Sequence, residues 1–202
     1  MSSETMSKDE IRLRHRAARA EMQPDALAAA AAGIALHGLA WAETVADGRP
    51  ATFTAYLGVG FEPPTLPLIS ALHSAGHRVL LPVCEPDRTL GWVFWDPAVQ
   101  FVRSRYAPIQ EPAGERQGPE VMRTVAGIFL PATAVDMSGN RIGQGGGYYD
   151  KFLAKAESNG VQVPRTAVIY DAELLPPSSI PAEGFDRPVD AALTPSGLIR
   201  LT

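Results

Sequence analysis

Residues 139–150 read Gly-Asn-Arg-Ile-Gly-Gln-Gly-Gly-Gly-Tyr-Tyr-Asp. A short apolar run, Gly-Ile-Phe-Leu-Pro at 127–131, precedes them, and a helical pattern starts at Tyr148. Glycines let backbone N–H groups turn inward and approach an anion closely. The N-terminus of the following helix adds unfilled donors and a positive dipole end. Arg141 adds a guanidinium fork suited to phosphate oxygens. A plain turn rarely needs three consecutive glycines, because ordering them costs chain entropy. The stretch reads as strand, phosphate loop, helix, with Gly143, Gly145, Gly146 and Gly147 as the cradle. It is not a Walker A loop, which needs Gly-Lys-Ser/Thr where Gly147 is followed by Tyr148. Nor is it a dinucleotide fingerprint, which would need glycine at Tyr148.

The flanks extend the same α/β pattern. Ser7 and Glu10 form a capping-box signature, which predicts a helix from Lys8 to about Met22. Ile11, His15, Ala18 and Met22 share one face of it. Lys8, Arg12, Arg16 and Arg19 share a basic second face, whose ordinary fate is a solvated surface. Pro24 and Asp25 open an alanine-rich second helix ending near 47–50. Strands are expected at 52–57, 78–83, 90–95, 127–131, 166–170 and 189–193, the last being the final strand. Helices are expected at 66–74, with Gly76 as its stop, and at 148–158. The stretches 99–119, 132–147 and 174–185 read as loops. Alternating strands and helices predict a single-domain three-layer α/β/α sandwich with a mostly parallel sheet over residues 1–202.

Composition narrows the partners. The chain has 202 residues, 46% of them hydrophobic and 20% charged, which describes a globular protein. Its formal charge of −4 does not suit a nucleic-acid-binding domain. The one cysteine, Cys84, excludes an internal disulfide and any multi-cysteine metal site, and reads as a small buried hydrophobe. His15, His37, His73 and His77 have no metal-ligand spacing as a set. No uninterrupted run of about 18 apolar residues marks a membrane span. The polar start MSSETMSKDE lacks the apolar core of a leader, so a cytoplasmic, soluble protein is expected.

Asp150 lies in the first turn of the helix after the glycines. Helix-dipole stabilisation is its ordinary role. Beside a phosphate cradle, however, it would repel the anion unless a cation sits between. Magnesium, which takes one or two carboxylates plus substrate phosphates, resolves that conflict. A second carboxylate is then expected, with Asp136, Asp186 and Asp190 as candidates.

The run from Gly139 to Asp150 resembles the loop of the 5-formyltetrahydrofolate cyclo-ligase family, G-x-R-[LI]-G-x-G-[GK]-G-[YF]-[YFH]-D. Most of the chain resembles that family too. Lys8-x-x-Ile11-Arg12 is similar to its basic first helix, Glu62 to its substrate-binding glutamate, and Leu81-Pro82-Val83 to the end of its second strand. Glu111-Pro112 resembles a family Glu-Pro pair. Phe185-Asp186, Val189-Asp190 and Thr194 resemble its C-terminal pattern. Two departures stand out: Phe185 replaces a frequent histidine and Glu173 a frequent glutamine.

The resemblance implies an ATP-dependent ligase that converts 5-formyltetrahydrofolate to 5,10-methenyltetrahydrofolate, with ADP and phosphate released. Lys8, Arg12, Arg141, Gly143, Gly145, Gly146, Gly147 and Tyr149 would bind ATP, with Arg141 also stabilising the transferring group. Leu57, Glu62, Gln144 and Tyr148 would bind the folate. Asp150 and Asp186 would hold Mg2+. One of Tyr148 and Tyr149 is expected to face the ligand and the other to pack as core. Trp92 and Trp95, on opposite faces of one strand, are expected to divide between core and the border of the folate pocket. A monomer acting on small molecules follows. Two alternatives remain: a non-catalytic nucleotide- and folate-binding paralogue, and a sugar-phosphate or CoA-handling enzyme on a similar sheet.

Overall fold

A computed structural model describes residues 6–201. Residues 1–5, which hold half of the polar start read above, and residue 202 lie outside the described residues. The chain begins with α1 (Lys8–Ala20) and α2 (Pro24–Ala46), then β1 (Thr52–Thr54), α3 (Leu66–Ser74), and the strands β2 (Arg78–Glu85) and β3 (Thr89–Trp95). A small hairpin follows, β4 (Phe101–Arg103) and β5 (Gln110–Pro112). Next come β6 (Val125–Pro131), β7 (Ala134–Asp136), β8 (Arg141–Ile142) and α4 (Tyr148–Ser158). The chain closes with β9 (Arg165–Val168), β10 (Leu174–Leu175), β11 (Ala191–Thr194) and β12 (Gly197–Arg200).

Seven strands form the central sheet in the order β12-β11-β9-β6-β1-β2-β3. The five inner strands, β11, β9, β6, β1 and β2, run parallel, and an antiparallel strand closes each edge. Side chains alternate cleanly between its faces, as a pleated strand requires. Phe53, Val79, Leu81, Phe129, Val168 and Leu193 pack on one side with Ile34 and Trp41 of α2 and Leu68 and Leu72 of α3. Leu80, Ile128, Leu130, Ala167 and Ala192 pack on the other with Phe152, Leu153 and Ala156 of α4. Both faces are therefore buried, which is the expected three-layer sandwich with a mostly parallel sheet.

Several elements differ from expectation, each for a local reason. The first strand ends at Thr54 rather than 57, because Thr65 Oγ1 captures the next backbone groups: it donates to Tyr56 O and accepts from Gly58 N. β2 and β3 form an antiparallel hairpin whose turn places Asp87 and Arg88 at φ of 59° and 56°, without glycine. β12 turns back on β11 after Pro195-Ser196, so 189–193 is not the last strand. Within 132–147 lie β7 and β8, which join β10 in a three-stranded sheet. Trp92 and Trp95 do take opposite faces, but both are buried in core, Trp92 against Phe152 at 4.9 Å.

α2 needs separate comment. By length and composition it is apolar enough to cross a bilayer, although no uninterrupted apolar run marked it. In this fold it lies on the sheet through Ile34, Gly38, Trp41 and Ala42. Its close approach depends on glycine: a Cβ at Gly33 would stand 2.2 Å from Pro195 O. Gly33→Ala raises helix propensity by about 1 kcal/mol. The clash is with backbone, which no rotamer relieves, so a net loss of roughly 1–3 kcal/mol is expected in urea unfolding.

Candidate functional site

The order of the sheet locates the site. From β1 the chain steps outward through α3 to β2, then returns to the other side of β1 as β6 and steps outward through α4 to β9. Strand order therefore reverses between β1 and β6, with α3 on one face and α4 on the other. In open α/β sheets the crevice for ligands lies there, beyond the carboxyl ends of the two strands. β1 leads directly into Tyr56, Leu57 and Glu62. β6 leads through β7 and β8 into the glycine loop.

The loop is built from its ends. Asp136, fully buried, accepts from the backbone N–H groups of Ser138, Asn140 and Ile180 and from the Asn140 side chain. It is a staple for the turn before Arg141, and its oxygens are not free for a metal. Gly139 adopts φ +83°, and a Cβ there would meet Val189 O at 2.9 Å. Gly145 at φ +92° and Gly147 at φ +70° take the left-handed conformations that favour glycine. Gly147 caps α4 without a side-chain acceptor, so the first N–H groups of that helix have no capping side chain.

The basic face of α1 turns onto this loop, with Arg16 still exposed to solvent. Arg12 Nε donates to Gly143 O at 2.9 Å, and Arg16 Nη2 to Gln144 Oε1 at 2.8 Å. Arg12 also pairs with Asp9 at 2.5 Å. Arg19 is buried and forms a two-pronged ion pair with Glu173, at 2.6 and 2.8 Å, while also donating to Ala132 O. Glu173, the glutamine position of the family pattern, is thus the anchor of α1.

Arg141 is not an exposed loop arginine. It lies in β8, 5% exposed, with its Nη2 2.6 Å from Asp150 Oδ1 and its Nε buried without a partner. A Cβ at Gly143 would stand 3.3 Å from its Nη1, so that glycine leaves it room. Burial pulls the guanidinium below its ordinary value, opposed by the charges of Asp150, Tyr149 and Asp186. Asp150 Oδ1 also accepts from Arg187 N. Lys8 Nζ lies 2.6 Å from Asp186 Oδ2 and 3.0 Å from Glu183 Oε2. Burial opposes the Lys8 ammonium, but the hydrogen bonds to Asp186 and Glu183 outweigh it and hold it above the ordinary lysine value. Phe185 is exposed, its ring 5.7 Å from that ammonium. Asp190 accepts from Arg165 N, at the opposite end of β9.

Among the described residues, no group of three or more His, Cys, Asp or Glu is gathered to hold a metal. Asp150 and Asp186 nevertheless fit magnesium's usual mode of one or two carboxylates completed by substrate phosphates. Both act on Arg141, and each hydrogen bonds through one oxygen only, leaving the other available.

On the β1 side, Glu62 accepts from Val59 N at 3.1 Å and from Gln144 Nε2 at 3.1 Å. Gln144 therefore bridges the glycine loop to Glu62, as Arg16 bridges it to α1. Leu57 is half-buried. Tyr148 reaches toward Tyr106 O and the Cys84 thiol. Burial pushes that thiol up, as does Glu111, which suits a packed cysteine and not a nucleophile. Tyr149 packs with the core under α4, edge-on to Phe152 at 6.2 Å, and burial and Glu62 push its hydroxyl up. Tyr56 was missed in the sequence, hidden in what read as a strand. Its hydroxyl is buried, unpartnered and also pushed up by burial and Glu62.

A glycine loop, a helix N-terminus and buried cationic groups thus meet at the topological switch point of the sheet, the arrangement of α/β proteins that bind phosphate. A family model described as the 5-formyltetrahydrofolate cyclo-ligase family matches residues 4–195. The chain belongs to that family, whose members are ATP-dependent ligases. It is 36% identical over 156 residues to a 5-formyltetrahydrofolate cyclo-ligase of Mycolicibacterium smegmatis, covering 74% of this chain and 77% of that one. It is 32% identical over 147 residues to the Escherichia coli K12 enzyme of the same name, covering 72% and 78%. The fold is that of the 5,10-methenyltetrahydrofolate synthetase of Aquifex aeolicus, at TM-score 0.71, 23% identity and coverage of 97% of this chain and 93% of that one. The Mycoplasma pneumoniae synthetase gives TM-score 0.69, 15% identity and coverages of 93% and 98%.

Breaking the anchor of α1 has a calculable effect. Glu173→Ala leaves a buried guanidinium unpaired, so a loss of about 3–5 kcal/mol is expected in urea unfolding. Glu173→Gln keeps an acceptor for Arg19 and should lose clearly less.

Proposed function

We propose that this chain closes the ring of 5-formyltetrahydrofolate to 5,10-methenyltetrahydrofolate with consumption of ATP, the reaction of its family. The observation that carries the reading is the meeting of α1 with the glycine loop. Residues some 130 positions apart, Arg12 with Gly143 and Arg16 with Gln144, assemble one basic cradle at the switch point. Lys8, Arg12, Arg141 and the amides of Gly143, Gly145, Gly146 and Gly147 bind the triphosphate, with Tyr149 beneath them. Leu57, Glu62, Gln144 and Tyr148 bind the folate. Retention of all these groups favours an enzyme over a non-catalytic paralogue, as Phe185 only stacks on Lys8 and Glu173 anchors a helix.

The chemistry is positioning and charge neutralisation, as in other phosphoryl transfers. The formyl oxygen attacks the γ-phosphorus and ADP departs, which turns a poor leaving group into phosphate. The neighbouring folate nitrogen then attacks the activated carbon, the ring closes and phosphate is expelled. Arg141, held in a dry strand, offers its fixed charge to the transferring group. Glu62 faces the N–H-rich edge of the pterin and fixes its orientation. Magnesium, held by the free oxygens of Asp150 and Asp186, would supply neutralisation of phosphate charge.

Asp150 and Asp186 pair directly with Arg141 and Lys8. Binding of nucleotide exchanges those partners, with phosphate oxygens meeting the cations. The proposal extends to a single-domain monomer in the cytoplasm, with small molecules as its only ligands. A net charge of −4 and the packing of α2 on the sheet support it against nucleic-acid and membrane partners.

The test is methenyl-folate formation from 5-formyltetrahydrofolate, followed by absorbance. Turnover is expected with ATP and magnesium, none without ATP, and none in excess EDTA. Nucleotide binding without turnover would favour the non-catalytic paralogue, and full activity in EDTA would remove the metal.

A further inference from the structure

Two tyrosine hydroxyls at the switch point have nothing to bind. Tyr56 Oη and Tyr149 Oη are both buried and lack any hydrogen-bond partner. Tyr56 as a residue is only 4% exposed. A buried hydroxyl without a partner is uncommon and costly, and calls for an explanation. The neighbouring Tyr170 shows the ordinary solution: its hydroxyl donates to Glu62 O at 3.3 Å.

Three observations place Tyr56 at the folate crevice. It is the second residue after β1, at the carboxyl end where strand order reverses. Glu62 and Tyr149 both act electrostatically on its hydroxyl, as do Arg19 and Glu173 from the side of α1. Its own carbonyl is held by the Thr65 hydroxyl, so the backbone that presents the ring is fixed. Both carboxylate oxygens of Glu62, meanwhile, already accept from N–H donors, one of them the Gln144 amide. The Tyr56 hydroxyl, within electrostatic reach of that satisfied carboxylate, therefore has a proton to donate and no acceptor for it.

We propose that Tyr56 is a specificity-determining residue of the folate site, its hydroxyl donating to the ring carbonyl of the pterin while Glu62 takes the adjacent N–H groups. The proposal rests on the folate reading given above. A 2-amino-4-oxo pterin carries its N–H groups and its carbonyl on one edge, so a carboxylate next to a hydroxyl donor reads that edge in both senses. The Gln144 amide N–H on Glu62 Oε1 marks the place such a pterin N–H would take. Tyr149 Oη, at the start of α4, is a second buried hydroxyl without a partner.

The experiment compares the wild-type protein with Tyr56→Phe, which keeps the ring and removes only the hydroxyl. The expected result has three parts. The KM and the calorimetric Kd for 5-formyltetrahydrofolate rise roughly tenfold, as for a lost hydrogen bond that leaves a buried carbonyl unpaired. The kcat and the KM for ATP stay at wild-type values, because the ring carbonyl is not a reacting atom. The thermal midpoint is unchanged or higher, because an unpartnered hydroxyl has been removed. Unchanged folate affinity overturns the proposal. So does a fallen midpoint or a failure to fold, since the hydroxyl would then have an internal partner. A fall in kcat at unchanged KM overturns it too, placing the hydroxyl at the reacting group. A wild-type protein that does not bind 5-formyltetrahydrofolate at all overturns the underlying reading, which the wild-type titration alone reveals.

Discussion

The ion pair between Arg19 and Glu173 is the contact on which the site depends. Both side chains are 3% exposed, and the guanidinium spends a further hydrogen bond on Ala132 O, where β6 opens toward the glycine loop. Burying two charges carries a desolvation penalty, so the pair is a poor source of net stability. What it supplies is register. With Arg19 fixed, helical spacing sets Arg16, Arg12 and Lys8 successively along the same face of α1. Those residues then meet Gln144, Gly143 and Asp186 in turn. The basic helix is thereby locked to the sheet that carries Arg141.

The same economy of charge runs through the crevice. A cluster of lysine and arginine without anions would repel itself, and a carboxylate facing a phosphate would repel the ligand. The fold answers both problems by pairing Arg141 with Asp150 and Lys8 with Asp186. Asp150 sits in the first turn of α4, where a dipole interaction alone would explain it, yet its carboxylate turns back to the guanidinium and to Arg187 N. Gln144 serves similarly on the β1 side, donating its amide to Glu62. Three buried groups here keep no partner: the hydroxyls of Tyr56 and Tyr149 and the Nε of Arg141.

Elements with strong local punctuation were legible in the sequence. The helices Leu66–Ser74 and Tyr148–Ser158 have the expected bounds, because proline and glycine mark their ends. The capping box at Ser7 and Glu10 forms as read. What escaped reading lacked such marks. The β2–β3 turn uses Asp87 and Arg88 at positive φ, which residue type does not announce. Strands of two or three residues, such as β8 and β10, are too short to show a period. The burial of Arg141 follows from membership in one of them. The candidate residues of the loop were visible as chemistry, but the turning of the α1 basic face onto Gly143 is a tertiary fact. So is the role of Glu173, since its partner lies 154 positions away. Tyr56 was overlooked because an aromatic residue after Thr52-Phe53-Thr54 continues a strand pattern, and only the packed fold shows its hydroxyl unpartnered.

The central claim is that α1 and the glycine loop form one nucleotide site at the switch point. Amide hydrogen exchange along the whole chain, with and without a non-hydrolysable ATP analogue and magnesium, tests it most directly. The account predicts slowed exchange at 143–150 together with α1, including Lys8–Arg16, and little change at the opposite edge of the sheet around Arg78 and Gln100. Slowed exchange confined to that opposite edge, or to the loop with α1 unaffected, would contradict it.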